Sequence, residues 1–213
     1  MVSTAEQRAA EKARDLAWVE AAQAGDRRAY GQLVDAYQRR VYAIAFGVVR
    51  SREDAWDVAQ EAFVKAYRNL DRFNGTSAFY TWLYRITTNL AIDHVRARQR
   101  KRTDALEKAP EPSIDEADAA HPEHAADRAE LSRVLAQAMD KLSEKHRAII
   151  VLREVEGLSY EEMAEVLGVN KGTVMSRLFH ARQNLQALLL PYVERGEGVP
   201  DSIRLAVRKG ASS

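Results

Sequence analysis

Residues 73–102 read FNGTSAFYTWLYRITTNLAIDHVRARQRKR, and the rest of the chain is organised around this stretch. It opens with a short loop at 74–76, after which Ser77 is predicted to cap a long helix that ends in a run of positive charge. Placing the side chains at about 100° per residue separates an apolar face from a polar one. The apolar face holds Phe79, Leu83, Ile86, Leu90 and Ala97. The polar stripe, with Trp82 beside it, holds Arg85, Asn89, Asp93, Arg96 and Arg100.

The two faces suit different tasks. A packed helix needs the apolar face, whereas the polar stripe offers cations for phosphates, an amide for a base edge and aromatic rings for stacking. Single-stranded or melting DNA binds these groups. An ordinary core helix with a solvated polar side, on which Trp82 is merely packed, accounts for the same pattern. The stretch by itself leaves both interpretations open.

The distribution of charge is more informative than its total. The 213 residues include 32 basic and 31 acidic ones, which leaves a net charge of +1. Residues 85–102 contain six Arg or Lys and one Asp, whereas residues 103–128 contain eight Asp or Glu and two basic residues. The acidic stretch also holds three of the five prolines and almost no large apolar side chain. It is therefore predicted to be a flexible linker between two small domains.

The residue types exclude several classes of protein. There is no cysteine, so disulfides and thiol chemistry are excluded and a reducing compartment fits. The sequence shows no secretory signal and no apolar run that could span a bilayer, and we expect a soluble cytoplasmic protein. His121 and His124 form an H-x-x-H pair but lack further ligands, so no metal site is predicted. Because we find no nucleophile–base pair and no phosphate-binding loop, we expect neither an enzyme nor a cofactor.

Helical spacing on both sides of the linker predicts an all-α fold of two small helical domains joined by an acidic flexible linker. In the first domain, helices are expected at 27–50, from Ser51 to about Leu70, and from Ser77 onward. The predicted divisions are an N-terminal extension that is frayed or loosely docked (1–24), a first domain (25–102), the linker (103–128), a second domain whose last helix ends at Pro191 (129–190), and a tail (191–213).

The helix that starts at Ser51 carries an acidic ridge. Asp54, Asp57 and Glu61 project on one side, with Gln60 next to them. Because like charges at this spacing repel, the ridge costs a little stability. It is either a solvated face or a docking surface for a basic partner.

The second domain ends in a pattern typical of a helix-turn-helix. Ser159 opens a capping box for a short helix that ends at Gly168, and Asn170 is expected to cap a longer helix. On the longer helix, the side chains placed for phosphates are Lys171, Thr173, Arg177 and Arg182, and those pointing outward are Met175, Ser176, Phe179 and His180. An exposed Met and Phe flanked by cations favour DNA contact over the alternative, a helix–helix interface within the molecule.

Three segments carry a resemblance to a known family: DAWDVAQEAFVKAYRNLDRF at 54–73, SAFYTWLYRITTNLAIDHVR at 77–96 and GLSYEEMAEVLGVNKGTVMSRLFHAR at 157–182. The first two resemble region 2, and the third resembles region 4, of the bacterial sigma-70 family, in particular its extracytoplasmic-function (group 4) members. The resemblance implies a promoter-specificity factor without catalytic activity. Such a factor binds core RNA polymerase, recognises −35 and −10 elements and nucleates promoter melting.

The resemblance also implies roles for particular residues. Contact with the clamp helices of the largest polymerase subunit is implied for Asp57, Gln60, Glu61 and Phe63. Contact with the −10 element, including capture of a flipped base by the loop and Asn89, is implied for Phe73, Asn74, Ser77, Trp82, Arg85, Asn89 and Arg96. Contact with the −35 element is implied for Lys171, Thr173, Met175, Ser176, Arg177, Phe179, His180 and Arg182. Several relatives carry Arg at the positions of Met175 and His180, so phosphate anchoring is expected to carry more of the affinity here.

A protein of this size cannot keep a transcription bubble open alone. Each opened base step costs about 1.4 kcal/mol of stacking, whereas one base stacked on an aromatic ring returns roughly 1–3 kcal/mol. We therefore expect an obligate partner. The resemblance implies that this partner is core polymerase, contacted at its clamp helices and flap by a chain that is otherwise a monomer. It also implies an anti-sigma factor as a further partner. The acidic linker would suit a basic polymerase channel or serve only as a solubilising spacer.

Two other functions fit parts of the pattern. A helix-turn-helix repressor or activator with a ligand-sensing N-terminal half would dimerise and act without core polymerase. A protein-interaction adaptor would bind its partner and give no transcript. Dependence on core enzyme distinguishes the initiation factor from both.

Overall fold

This computed structural model describes residues 4–105 and 125–195. All of the regular secondary structure in these ranges is helical. The helices are α1 (Thr4–Gln23), α2 (Arg27–Val49), α3 (Arg52–Arg68), α4 (Phe79–Ala105), α5 (Ala125–Lys141), α6 (Glu144–Ile150), α7 (Tyr160–Leu167) and α8 (Lys171–Arg195). A 3-10 turn at Leu70–Arg72 follows α3, and a π-helical turn at Val151–Val155 continues α6. The all-α prediction is confirmed. The centre of the predicted linker, with His121 and His124, and the end of the predicted tail lie outside the described residues.

Helices α2, α3 and α4 pack around one apolar core and form the body of the first domain. Helix α2 begins where the Asp26 carboxylate accepts a hydrogen bond from the Arg28 N–H (2.8 Å). Helix α3 begins, as predicted, where the Ser51 hydroxyl accepts one from the Asp54 N–H (3.3 Å). Inward side chains at helical spacing are almost fully buried: Leu33, Tyr37, Val41, Ile44, Ala55, Ala62, Ala66, Leu83 and Tyr84.

The N-terminal segment is a docked helix, which corrects the prediction that it is frayed or loosely attached. In α1, Val19 is buried, and Trp18 and Ala22 pack against the core. The Asp15 carboxylate is also buried, and it accepts a hydrogen bond from the Tyr37 hydroxyl of α2. The apolar stripe of α1 is incomplete because one of its inward residues, Asp15, is an acid. A buried acid with a hydrogen-bond partner is compatible with packing.

The start of α4 also differs from the prediction. The helix begins at Phe79, so Ser77 lies two residues before it and does not occupy the N-cap position. Instead, the side-chain oxygen of Asn74 accepts hydrogen bonds from the backbone N–H (3.2 Å) and the hydroxyl (2.8 Å) of Thr76. This local turn competes with helix formation and delays the start of α4.

Helices α5 to α8 form the second domain, and α7 and α8 confirm the predicted helix-turn-helix. Ser159 and Glu162 form a reciprocal capping box at the start of α7. Gly168 ends α7 in the left-handed conformation, with φ +63°. The Asn170 side chain accepts from the Thr173 N–H (2.7 Å) and caps α8. These caps fix the turn between the two helices.

Several helix ends lie beyond their predicted positions. Helix α8 continues through Pro191 to Arg195, although the proline removes one backbone N–H. Packing of the buried Val193 with Leu190 and Tyr192 stabilises this last turn. Helix α4 runs to Ala105 and α5 starts at Ala125, so both extend into the stretch predicted as a linker.

The π-helical turn after α6 determines which side chains face the first domain. A π-helical turn holds an extra residue and shifts the phase of the side chains that follow it. Val155, the last residue of this turn, is 63% exposed. Val151 and Leu152 remain buried.

The two domains pack against each other, chiefly through α4 on α7 and α2 on α6. At the centre, Gly47 of α2 lies against Val151, and a Cβ atom added to Gly47 would be only 2.4 Å from Cγ2 of Val151. Nearby, Arg50 Nε donates to Asp140 Oδ1 of α5 (2.8 Å). This closed arrangement of the domains depends on the missing side chain at Gly47.

Gly47→Ala is expected to separate the domains. A methyl group at that distance from a stiff β-branched side chain forces α2 and Val151 apart, while alanine favours α2 itself by roughly 1 kcal/mol over glycine. Small-angle X-ray scattering should therefore give a larger radius of gyration, with helix content by circular dichroism retained.

Gly31→Ala is the matched control, because a Cβ there meets nothing within 4 Å on the same helix. Adding Val151→Ala to Gly47→Ala should bring the radius of gyration back towards that of the wild type. An unchanged radius in Gly47→Ala would mean that the interface accommodates the methyl group.

Candidate nucleic-acid interface

The loop between α3 and α4 is held in shape by the residues around it. The Phe73 ring is buried, packing edge-on against Phe79 (ring centres 5.8 Å apart) and tilted against Trp82 (5.3 Å). Gly75 adopts φ +72°, a conformation that favours glycine. Of the predicted −10 residues in this loop, Phe73 is buried and attaches the loop to α4. Asn74 is exposed and Ser77 is half-buried.

Helix α4 places three other predicted −10 residues along one face. Trp82 is half-buried, and Arg85 and Asn89 are exposed. Their spacing of three and four residues puts an aromatic ring, a cation and an amide next to one another. This combination can stack on a base, contact a phosphate and bind a base edge.

In the closed arrangement, the second domain contacts part of this face. Arg96 Nε donates to Glu144 Oε1 of α6 (3.1 Å), and Arg85 Nη2 lies 3.9 Å from where a Cβ of Gly168 would be. Burial would raise the pKa of Glu144, but hydrogen bonds from the backbone and from Arg96 outweigh it and hold the pKa below its usual value. The pair therefore favours closure at neutral pH, and this contribution is lost as the pH falls through the lowered pKa.

Two tyrosines of α4 also bind acids of the second domain. The Tyr84 hydroxyl donates to Glu156 Oε2 (3.1 Å), and the Tyr80 hydroxyl donates to Glu162. Burial raises the pKa of Glu156, although Tyr84 and Arg40 partly offset it. Together with the ion pair between Arg50 and Asp140, four acids of the second domain thus bind polar groups of the first domain. They are Asp140, Glu144, Glu156 and Glu162. In this arrangement Arg96, whose side chain is 40% exposed, is engaged by Glu144.

The outer side of α3 is an exposed strip. Asp57, Gln60 and Glu61 are all exposed. Phe63 is half-buried, and its carbonyl oxygen accepts a hydrogen bond from the Tyr30 hydroxyl of α2 (2.6 Å). The structure therefore brings together the four residues predicted to contact polymerase.

Asp54, which the sequence places on the same ridge, has another role. Its carboxylate pairs with Arg98 Nη1 (2.9 Å) and His94 Nε2 (3.2 Å) of α4. It therefore ties α3 to α4. These partners are 40 and more residues away in sequence, so helical spacing alone could not identify them.

Three exposed apolar side chains on α3 were missed by the sequence reasoning: Trp56 (53%), Val64 (48%) and Tyr67 (45%). Trp56 packs on Tyr42 (ring centres 4.9 Å), and Tyr67 packs on Tyr30 (4.8 Å). Large apolar side chains exposed together indicate a surface for a partner. The available signal was their spacing, because positions 56, 64 and 67 fall on one side of a helix at about 100° per residue.

Helix α8 presents its predicted base-reading side chains to solvent. The exposed side chains are Met175 (52%), Ser176, Phe179 (56%) and His180. Thr173 and Arg177 are half-buried. An exposed Met and Phe on one side of a recognition helix provide apolar contacts for thymine methyl groups.

Two predicted phosphate ligands are paired with acids of their own domain. Lys171 pairs with Glu161, and Arg182 Nη2 lies 2.6 Å from Glu154 Oε1. The pairing with Lys171 lowers the pKa of Glu161. Because all four side chains are exposed, these ion pairs contribute little to stability, and a phosphate can replace either carboxylate.

The arrangement defines a class of protein. One domain carries a loop and a helix face suited to unpaired bases, and the other carries a helix-turn-helix with an exposed reading face. The described part of the chain holds no group of three or more His, Asp or Glu side chains placed for a metal ion. The class is that of DNA-binding transcription proteins.

Comparison with known proteins gives the family. Residues 33–101 match Sigma-70 region 2, and residues 132–185 match Sigma-70, region 4. The RNA polymerase sigma-H factor of Pseudomonas aeruginosa is 43% identical over 182 residues, which cover 83% of this chain and 94% of that protein. The ECF RNA polymerase sigma-E factor of Escherichia coli (strain K12) is 40% identical over 190 residues, 87% of this chain and 99% of that protein. The structure of the sigma factor RpoE in complex with the anti-sigma factor NepR from Bartonella quintana has a TM-score of 0.63 and 27% identity, covering 75% of this chain and 96% of that one.

The chain belongs to the sigma-70 family, in its extracytoplasmic-function group, and is a sigma factor for transcription initiation. These matches do not favour a repressor or activator that acts without core polymerase. Sigma factors are non-enzymatic regulators. No helix in the described ranges is long and apolar enough to cross a bilayer.

Proposed function

We propose that this sigma factor binds core RNA polymerase through the outer strip of α3, centred on Asp57, Gln60, Glu61 and Phe63. It recognises the −10 element through the loop 73–78 and α4, and the −35 element through α8. It acts in the cytoplasm, is a monomer outside its complexes and catalyses no reaction.

The exposed face of α3 is the observation that carries this proposal. It combines acids with Trp56 and Tyr67, two aromatic side chains that are about half exposed. Such a surface is costly to leave in water, so it favours a partner that is both basic and apolar. The clamp helices of core polymerase are the partner that the family supplies.

Support for the −10 assignment comes from the loop and α4. Asn74, Arg85 and Asn89 are exposed, and Trp82 lies beside them with its ring packed on Phe73. A packed aromatic ring loses little freedom when a base stacks on it. Phe73 supports the loop without reaching the base.

Support for the −35 assignment comes from α8. Its exposed face offers Met175 and Phe179 for methyl contacts, while Lys171, Arg177 and Arg182 supply positive charge around them. The resemblance implies Arg in several relatives at the positions of Met175 and His180, and we propose that phosphate contacts carry a larger share of the affinity here.

Promoter binding requires the closed arrangement to open. Arg96 exchanges Glu144 for DNA, and the second domain moves to the −35 element while the first holds the −10 element. The RpoE protein of Bartonella quintana was solved with an anti-sigma factor, and we propose that an anti-sigma factor likewise holds this chain when it is inactive.

Run-off transcription tests the proposal. Purified protein, added to core polymerase on a promoter library randomised at both elements, should direct transcripts from a defined subset of sequences. Core polymerase alone is the control. Transcription indistinguishable from that control, under conditions where the protein is folded, would overturn the proposal, whatever DNA the protein binds alone.

A further inference from the structure

A single side chain ties the start of the loop to the N-terminal helix. Gln23, the last residue of α1, donates hydrogen bonds from Nε2 to the backbone carbonyls of Leu70 (2.8 Å) and Phe73 (2.9 Å). These partners lie 47 and 50 residues along the chain. A primary amide has two N–H donors, and the Gln23 amide donates one to each carbonyl.

The other backbone bonds at this point are local. Arg72 N–H donates to the Asn69 carbonyl (3.0 Å), and Phe73 N–H donates to the Leu70 carbonyl (2.9 Å). Bonds between neighbours shape the turn but do not set its position relative to the rest of the domain. The two bonds from Gln23 and the packing of the buried Leu70 and Phe73 side chains together set that position.

Helix α1 meets the loop at a second point. A Cβ added to Gly75 would be 3.4 Å from Cδ1 of Leu16, so the Leu16 side chain lies against the middle of the loop. Leu16 is 39% exposed, and contact with the loop accounts for an apolar side chain on this side of α1. The loop is therefore supported at its start by Gln23 and at its tip by Leu16.

Gln23 can act as a brace because its own position is fixed. Val19, one turn earlier, is buried, and the Asp15 carboxylate is bound by Tyr37. The turn after Gln23 is closed by hydrogen bonds from Gly25 N–H to Ala22 and from Asp26 N–H to Ala21, both 3.0 Å. The Gln23 side chain is exposed, and the helix end that carries it is held in place by these contacts.

We infer that Gln23 is a positioning residue for −10 recognition. By holding the carbonyls of Leu70 and Phe73, it sets the distance of the loop from the α4 face, and thereby the base preference at the position that the loop reads. Helix α1 lies before residues 33–101, so this brace is outside the segment that matches Sigma-70 region 2. The inference rests on the proposed role of the loop 73–78.

Gln23→Glu is the decisive variant. Glutamate has the size and nearly the helix propensity of glutamine, but it cannot donate a hydrogen bond when ionised, and its charge repels both carbonyl oxygens. Holoenzyme with Gln23→Glu is tested on a library randomised at both promoter elements. At one or two −10 positions, its preference for the favoured base over the others should fall roughly tenfold. Its −35 preference and its retention by core polymerase should not change.

Two further variants separate hydrogen bonding from general effects. Gln38→Glu makes the same change at an exposed position of α2 and should behave as the wild type. Gln23→Lys retains N–H donors and should recover most of the −10 preference. Equal loss in Gln23→Lys and Gln23→Glu would overturn the inference, as would a parallel fall in −35 preference and core retention.

Asn89→Ala in the same library separates this inference from the proposed function. If Asn89→Ala changes the −10 preference and Gln23→Glu does not, the brace is wrong and the −10 assignment stands. If neither variant changes it, the assignment of the loop and α4 to the −10 element fails, and the inference fails with it.

Discussion

Asp57→Arg combined with Glu61→Arg is expected to abolish retention of this sigma factor by core RNA polymerase in a pull-down. The two carboxylates lie one helical turn apart on the exposed side of α3. Against a basic partner, the double substitution replaces two attractions by two repulsions, and like charges juxtaposed at an interface cost several kcal/mol. We expect a loss of about a hundredfold or more in affinity.

The control for this variant keeps the change in charge and moves it elsewhere. Glu20→Arg with Asp35→Arg alters exposed acids of α1 and α2 by the same amount and should leave retention intact. Equal loss in both pairs would assign the effect to net charge. Undiminished retention of the α3 variant would remove the docking assignment.

Asn89→Ala combined with Trp82→Ala is expected to spare core binding and to prevent open-complex formation. The pair removes the amide for a base edge and the ring for stacking from one face of α4. Stacking alone is worth roughly 1–3 kcal/mol for each base. Thymines of the −10 element should therefore lose their permanganate reactivity in the holoenzyme complex.

Two measurements keep this test specific. The Trp82 ring also packs on Phe73 and Phe79, so the thermal midpoint of the double variant must be compared with that of Asn89→Ala alone, whose side chain is exposed. Asp93→Ala removes an exposed acid one turn further along and should retain or slightly increase melting, because it removes a charge that repels DNA. Normal permanganate reactivity in the double variant would contradict the assignment.

Much of the fold follows from local signals in the sequence. Ser51, Ser159 and Asn170 each cap the helix that they were predicted to cap, because a cap needs only the side chain and the backbone N–H two or three residues later. Gly168 similarly ends α7 through a conformation that glycine adopts without strain. Ser77 fails as a cap because Asn74, three residues earlier, forms a competing local turn.

Contacts between distant segments could not be predicted in the same way. The burial of Asp15 depends on its partner, Tyr37, which lies on another helix. Contact of Arg96 with the −10 element was implied by the family resemblance, and nothing near Arg96 in sequence indicated Glu144. The closed arrangement as a whole depends on Gly47, whose importance appears only when Val151 is placed against it.

The candidate site shows the same division. Helical spacing was sufficient to place Asp57, Gln60 and Glu61 on one exposed side of α3, and Met175 and Phe179 on one side of α8. It was insufficient to show that Phe73 is buried under the loop. The individual roles of these residues in binding polymerase and promoter remain predictions.

The ion pairs on the helix-turn-helix have a consequence for how affinity responds to ionic strength. A basic side chain that is free in solution makes protein–DNA binding steeply sensitive to salt, because each phosphate that it neutralises releases a condensed counterion. Lys171 and Arg182 must first leave Glu161 and Glu154, and added salt weakens those competing pairs as well. The logarithm of the −35 affinity should therefore fall less steeply with the logarithm of salt concentration than the number of cations on α8 would suggest.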